Sequence, residues 1–319
     1  MRLRYQFELI QLIRNFFSQQ GFLDVITPPA VENPGMEVHI HPFALYSVVQ
    51  NKVIKKFLHT SPEFCLKQLL SDKSENIDKV FSMGYCFRDE PDSPIHRNQF
   101  IMLEWYRKHE RYEKIMSDVE ELLNYCLKSS LPLRKEMKDK TLKKITMQEL
   151  FKQILNIDIL NYLDVPSIKK LLTQFPDVPV PTVNLEWDDY FFLLYLNKIE
   201  PEIAKYPLLL IYEFPAPLSA LSTLKQSDPR VCERFEVYVN GVELCNCFNE
   251  LTDPAEQRRR FSEQNKLKQK LYKYQLPEPS EFYEAMDRGL PPSAGIALGV
   301  ERLLFALCEI DNPFFYSKS

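Results

Sequence analysis

The chain has 319 residues, 45% hydrophobic and 26% charged, enough apolar surface to bury a full core and too much for a disordered segment. Its formal net charge of −4 excludes a surface that draws nucleic acid by charge alone. The 7 cysteines are scattered, odd in number and without a C-x-x-C pair, which excludes a disulfide scaffold and a zinc knuckle. Reduced thiols in a cytoplasmic protein fit better.

Residues 1–17, MRLRYQFELIQLIRNFF, are amphipathic and interrupted by charge, unlike a signal peptide or a membrane span. Leu3, Phe7, Ile10, Ile13 and Phe17 recur at helical spacing, and Gly21 is a C-terminal stop. FLDVITPP then reads as a short strand ended by Pro28 and Pro29. In KKFLHTSPEFCLKQLL a strand passes into a helix at Thr60, where Thr60-Ser61-Pro62-Glu63 matches a capping box. Residues 80–107 read as strand, polar loop and strand, and YEKIMSDVEELLNYCL as a helix. Residues 130–205, rich in Lys, Leu and Pro, read as a mostly helical insertion with a second capping box at Thr146-x-x-Glu149. PLLLIYEFP (207–215) resumes as a buried strand. RFEVYVNGVELCNCF follows as a hairpin around Asn240-Gly241, the strongest short turn signal in the chain. Arg258, Arg259 and Arg260 are expected on a solvated helix face rather than in a basic patch. SAGIALGVERLLFAL closes the chain as strand then helix. The expected fold is α+β, one domain over 1–319, an antiparallel sheet flanked by helices with the insertion at about 130–205.

Chemistry gathers on the strands. A two-residue turn pairs Val239 with Val242, Tyr238 with Glu243 and Glu236 with Cys245. Glu236 and Glu243 are then diagonal neighbours on one face, able to share a divalent ion. A solvent-facing strand is the plainer reading of the hairpin alone. Glu250 lies on the opposite face unless the strand bulges near Cys247. In the earlier pair, Cys86, Arg88 and Glu90 share one face, as do Phe100, Met102, Glu104 and Tyr106. Charge inside apolar strands is costly unless it meets a partner or a ligand. Arg88 is equally a phosphate clamp or the ion-pair partner of Glu90 or Glu104. With only 7 glycines in the chain, Gly295 and Gly299 on alternate strand positions suggest close approach of a ligand to the backbone. The helix start after them, with Arg302, favours an anion. Neither a dinucleotide fingerprint nor a P-loop is present.

Taken together, GFLDVITPP, FRDE…F and GIALGVER resemble motifs 1, 2 and 3 of the class II aminoacyl-tRNA synthetases, in order and at sensible separation. The text around them (TSPEFCLKQLL, FIMLEWYR, RFEVYVNGVELCNCFNELTDPAEQRRRF) resembles the lysyl-tRNA synthetase branch over most of the chain, least over 130–205. Within that branch the chain is most similar to the elongation factor P lysyltransferases. The helix preceding motif 1 begins at the first residues, which leaves no anticodon-binding domain expected. Ser61 and Ala297 stand where synthetases usually carry alanine and glycine.

The resemblance implies a role for each matching residue. Arg88 would hold the α-phosphate and the amino-acid carboxylate, and Arg302 the far phosphates, as the catalytic pair. Asp89, Glu90, Phe100, Glu243, Leu244 and Gly299 would line the ATP site, Phe100 stacking on adenine. Glu236 and Glu243 would ligate Mg²⁺. Ser61, Pro62, Glu63, Glu104, Tyr106, Asn246, Glu250 and Ala297 would surround the amino acid, with Glu250 and Tyr106 near its side-chain ammonium. Glu63 thus has two competing readings, helix cap and substrate contact, and the resemblance favours contact. Gln99 replaces the usual glutamate of the motif 2 loop, and Cys245 and Cys247 replace Ala and Gly, so the pocket is expected to differ in detail.

The implied activity is ATP-dependent activation of lysine or (R)-β-lysine as an aminoacyl-adenylate and its transfer to a lysine of elongation factor P. It implies a cytoplasmic homodimer, with no membrane and no tRNA acceptor expected. Two other readings remain: a truncated lysine-tRNA ligase, and a non-catalytic regulator that binds amino acid or nucleotide. A non-catalytic descendant has no need of Arg88, Glu236, Glu243 and Arg302 together.

Overall fold

Apolar residues occupy more than one side of the first helix, so only packing decides which side is buried. In the computed structural model, which describes residues 2–93, 96–137 and 140–314, α1 (Arg2–Gln19) buries Gln6, Leu9, Ile13, Phe16 and Phe17. The expected stripe is therefore rotated, and Phe7 is 54% exposed. Gly21 ends the helix at φ +74°, and Phe22 N–H returns to Phe17 O at 3.0 Å. β1 (Leu23–Val25) stops before the prolines as expected. β2 (Ala30–Val31), β3 (Ala44–Ser47) and β4 (Lys52–Leu58) form a small antiparallel sheet in the order β2-β4-β3.

The first capping box does not form. α2 (Glu63–Ser71) is capped by Pro62 without a side-chain bond. The Thr60 hydroxyl instead donates to Pro34 O at 2.6 Å, which binds the preceding loop. β5 (Lys79–Phe87) and β6 (Gln99–Lys108) pair antiparallel, with Cys86 opposite Phe100 and Ser82 opposite Glu104. Arg88 continues the ladder by one bond, its N–H to Asn98 O at 2.9 Å, but Glu90 is off the strand and does not share a face with Cys86. α3 (Tyr112–Leu127) follows as predicted and buries Ile115, Val119, Leu122 and Leu123.

The chain forms two compact units, residues 1–132 with 250–319, and residues 133–249. In the second unit, β7 (Lys143–Thr146) leads into α4 (Met147–Leu155), and here the predicted box is complete. Glu149 N–H donates to Thr146 Oγ1 at 3.1 Å and Thr146 N–H to Glu149 Oε2 at 3.0 Å. α5 (Val165–Leu172), α6 (Trp187–Leu194) and α7 (Glu200–Ile203) follow, with a π-helical turn at Tyr195–Ile199. Phe151, Trp187 and Phe191 stack at the centre of this helical core. β8 (Leu208–Pro215), β9 (Val231–Val239) and β10 (Val242–Asn249) make an antiparallel run, and β7 joins its edge parallel to β8. Gly241 is needed twice: its φ is +79°, and a Cβ would meet Ala204 Cα at 3.1 Å.

The chain then returns to the first unit with α8 (Pro254–Tyr272), α9 (Ser280–Gly289), β11 (Ser293–Gly299) and α10 (Val300–Leu307). Arg258, Arg259 and Arg260 on α8 pair with Asp287, Glu256 and Glu263, as a solvated face should. In this unit β1, β5, β6 and β11 lie side by side in that order, β1 parallel to β5 and the rest antiparallel. The sheet of each unit is thus antiparallel except at one parallel edge pair. Among the described residues no helix is long and apolar enough to cross a membrane.

β11 corrects one expectation. Gly295 lies opposite Tyr106, and a Cβ there would fall 2.0 Å from the Tyr106 ring. This glycine makes room for an aromatic ring of the protein, not for a ligand. Gly295→Ala should therefore destabilise the protein by about 1–3 kcal/mol through overpacking. A denaturant-unfolding double-mutant cycle with Tyr106→Ala checks it, since the loss should shrink once the ring is gone.

Candidate active site

In the first unit, α2 and β6 each deliver two residues to one buried cluster. Glu63 and Lys67 are one turn apart on α2, with the acid N-terminal to the base. Glu104 and Tyr106 alternate on β6 and so share a face. Glu250 follows directly after β10, with its N–H on Ser293 O at 2.9 Å. Lys67, 1% exposed, lies 2.5 Å from Glu63 Oε1 and 2.5 Å from Glu250 Oε2. Tyr106 donates to Glu104 Oε1 at 2.6 Å, and Glu104 Oε2 is buried with no hydrogen-bond partner among the described residues. Burial, then Glu63, raises Glu104 well above the usual carboxylate range. Burial likewise lifts Glu250 to about 7, against the pull of Lys67. Burial works against charge on Lys67, but Glu250 and Glu63 outweigh it and hold the ammonium above its ordinary range. An acid-rich pocket short of cations can receive ammonium groups.

Ala297 on β11 lies opposite Glu104 in the register. Ser61 borders a cleft with Gly35, His59, Phe64, Cys65 and Phe282, of about 600 Å³ with its open mouth included.

The Arg88 guanidinium lies 5.3 Å from the Phe100 ring centroid, and its buried Nε has no hydrogen-bond partner among the described residues. Of its two readings, the ion pair with Glu90 or Glu104 does not form among the described residues. Asp89 N–H donates to His41 O at 2.7 Å, and Asp89 and Glu90 line a cleft with His41, Pro42, Pro91 and Tyr274. The loop carrying His41 is held from α8: Lys268 Nζ donates to Val38 O and Ile40 O, each at 2.8 Å. Burial lowers this lysine to about 8. On the same loop Glu37, raised by burial and then by Glu63, sits within the fields of Arg88 and Lys268.

Gly299 caps α10 at φ −79°, and a Cβ there would make ordinary contact with Arg302, so nothing within the chain demands glycine. Arg302 Nη2 lies 2.5 Å from His96 Nε2, and burial, then Arg302, keeps His96 below its usual range. In the first turn of α10, Glu301 accepts Ile101 N–H at 3.0 and 2.9 Å. Burial lifts Glu301 to about 7 from 4.5. The folded state then holds a proton that the unfolded chain has lost, so stability from this group falls as pH rises from about 4.5 to 7. Glu301→Gln should remove that component, up to about 3 kcal/mol. Thermal unfolding of both proteins between pH 4.5 and 8 reads it as a flatter profile in the variant.

In the second unit the hairpin carries a bulge. Glu243 faces Tyr238 as predicted, but the register shifts between Glu243 and Cys245. Cys245 then faces Val237, and Asn246 faces Glu236. The predicted Glu236–Cys245 pair is wrong by this one residue, because Leu244 is the extra residue on β10. The bulge lies just before Cys245 rather than near Cys247, and it brings Asn246 to the side of Glu236 and Glu243. Arg234 joins them, donating to Asn246 Oδ1 at 3.0 Å and to Glu236 Oε1 at 2.6 Å. Tyr238 donates to Glu236 Oε2 at 2.5 Å and accepts from Tyr195 at 3.0 Å, so the helical segment reaches this carboxylate through its π-helical turn. Burial, then Glu236, raises both tyrosines. Cys245 and Cys247 are buried.

Among the described residues no three acidic, cysteine or histidine side chains gather as a protein-only metal site. Each Glu236 oxygen keeps a lone pair beyond the bond it accepts, and Glu243 adds a second carboxylate on the same face. That donor set fits Mg²⁺ that draws its remaining ligands from phosphate and water.

Sequence reasoning found Glu63, Glu104, Tyr106 and Glu250, but missed Lys67 at their centre. Its signal was present in the i, i+4 spacing from Glu63. Arg234, Tyr195, Glu37 and Lys268 had no local signal.

The family described as tRNA synthetases class II (D, K and N) matches residues 1–312. Relatives named elongation factor P–(R)-β-lysine ligase are similar over nearly the whole chain. The protein from Hamiltonella defensa is 33% identical over 307 residues, 96% of this chain and 90% of that one. The Proteus mirabilis protein has the same identity and coverage. That from Histophilus somni is 34% identical over 308 residues, again 96% and 90%.

Proposed function

We propose the reaction of this chain from one premise: it belongs to the class II tRNA synthetases of the D, K and N type, and within them to the elongation factor P–(R)-β-lysine ligases. It is an ATP-dependent ligase that joins lysine or (R)-β-lysine to a lysine side chain of elongation factor P. The observation that carries the substrate class is the buried cluster of Glu63, Glu104 and Glu250 around Lys67, which holds more carboxylates than cations.

A carboxylate oxygen of the amino acid attacks the α-phosphorus of ATP, the bond to pyrophosphate breaks, and an acyl-adenylate forms. The neutral acceptor amine then attacks the acyl carbon, the bond to AMP breaks, and the amine proton passes to water. No enzyme nucleophile is required. Arg88 has a buried N–H without a hydrogen-bond partner among the described residues, suited to the phosphate and carboxylate oxygens that meet in the first step. Arg302 would hold the far phosphates, and Asp89, Glu90, Phe100, Leu244 and Gly299 would line the nucleotide. Glu236 and Glu243 would hold Mg²⁺, which supplies neutralisation of phosphate charge. Ser61, Pro62, Asn246 and Ala297 would complete the amino-acid site, Ala297 beside Glu104. Exposed Phe7, Leu23 and Ile26 support a homodimer, and an elongation factor P acceptor supports a cytoplasmic enzyme.

The test incubates the protein with ATP and each lysine isomer and reads ATP–pyrophosphate exchange. Intact-mass analysis of elongation factor P and of lysine tRNA from the same reactions follows. Added mass on elongation factor P is expected; added mass on tRNA alone, or no exchange with either isomer, defeats the assignment.

A further inference from the structure

Three buried carboxylates, Glu63, Glu104 and Glu250, come from a helix, a strand and the end of a hairpin, and among the described residues Lys67 is the one cation bonded to them. Its ammonium touches Glu63 and Glu250, so both acids are oriented by the same group, while Glu104 keeps an oxygen without a hydrogen-bond partner among the described residues. Next to them Glu37 feels Glu63, but it also lies in the fields of Arg88 and Lys268, which balance its charge. When all four groups are ionised, three negative charges and one positive leave two negative charges.

We propose that Lys67 is the positioning residue that sets the specificity of this pocket for diamino acids: it cancels one carboxylate and spans Glu63 and Glu250, so that the charge left over matches two substrate ammonium groups. This rests on the reading of the cluster as the amino-acid site. A substrate with one ammonium leaves a buried carboxylate uncompensated, and one with none leaves two, each a large desolvation cost. The raised carboxylates of the cluster agree with a site that holds fewer cations than carboxylates until substrate arrives.

Calorimetric titration with L-lysine, (R)-β-lysine and 6-aminohexanoate, which carries a single ammonium, reads the specificity directly. Wild-type protein should prefer a lysine isomer over 6-aminohexanoate by about 100-fold or more. In Lys67→Met, which keeps the bulk, Glu63 and Glu250 lose the cation that keeps them charged and oriented, so that preference should drop below about 10-fold, while Lys67→Arg should stay within about 10-fold of wild type. In exchange assays the loss should fall on the amino-acid KM rather than on kcat or the KM for ATP. In Lys67→Ala, propylammonium should restore at least about 10-fold in amino-acid binding, and 1-propanol nothing. If thermal unfolding shows that the alanine variant does not fold, the Met and Arg variants decide. An unchanged preference in Lys67→Met, or equal rescue by 1-propanol, overturns the inference alone. A wild-type protein that binds neither lysine isomer overturns the site reading and this inference with it.

Discussion

Arg88→Ala should lower lysine- or β-lysine-dependent ATP–pyrophosphate exchange by about 10³-fold or more. The guanidinium lies over Phe100 with Glu37 in its field, and its buried Nε has no hydrogen-bond partner among the described residues, so that N–H is desolvated without a bond to replace water. Such a group is costly to keep unless a ligand completes it, and developing negative charge on the α-phosphate does so best in the transition state. The loss should therefore appear in kcat as well as in KM. Arg88→Lys should not restore activity, because one ammonium cannot reproduce two parallel N–H bonds to phosphate or carboxylate oxygens. Exchange undiminished in Arg88→Ala would remove this residue from the reaction.

Glu250→Gln should raise the KM for the amino acid by about 10²–10³-fold, from the cost of leaving a buried charge half-paired. Lys67 loses one of its two carboxylate contacts, and the pocket loses one of the charges that an ammonium would meet. The pH dependence separates this from simple disruption. Glu250 titrates at about 7 because burial raises it, so its charged, substrate-binding form grows as pH rises through that value. Wild-type KM should fall over pH 6 to 8, and in Glu250→Gln this limb should flatten. A variant whose KM is raised but keeps the wild-type slope would show that another group titrates there.

Local signals carried much of the fold. The Thr146–Glu149 box, the Asn240-Gly241 turn and the Gly21 stop all formed as predicted, since each is decided within a few residues. The Thr60–Glu63 box matched the same pattern and failed, because Pro34 O and Lys67 compete for its two side chains. The Glu236–Cys245 pair failed through a bulge that no residue-type rule reveals. Glu236, Glu243 and Asn246 still fall on one side, as the turn alone indicated for the two acids.

By itself the sequence determined the family, the order of most strands and helices, though not β2, β3 and β7, and most of the chemistry-bearing residues, though not Lys67. These follow from periodicity, turn residues and motif order, which are properties of short windows. Tertiary structure decided which of those residues meet. Lys67 joins Glu63 to Glu250 across most of the chain, Gly295 yields its space to Tyr106, and Tyr195 reaches Glu236 through Tyr238. Burial then decides what the charges do, since an ionised carboxylate is stable in a low-dielectric interior only where packing brings it a partner, and that partner is set by the whole fold.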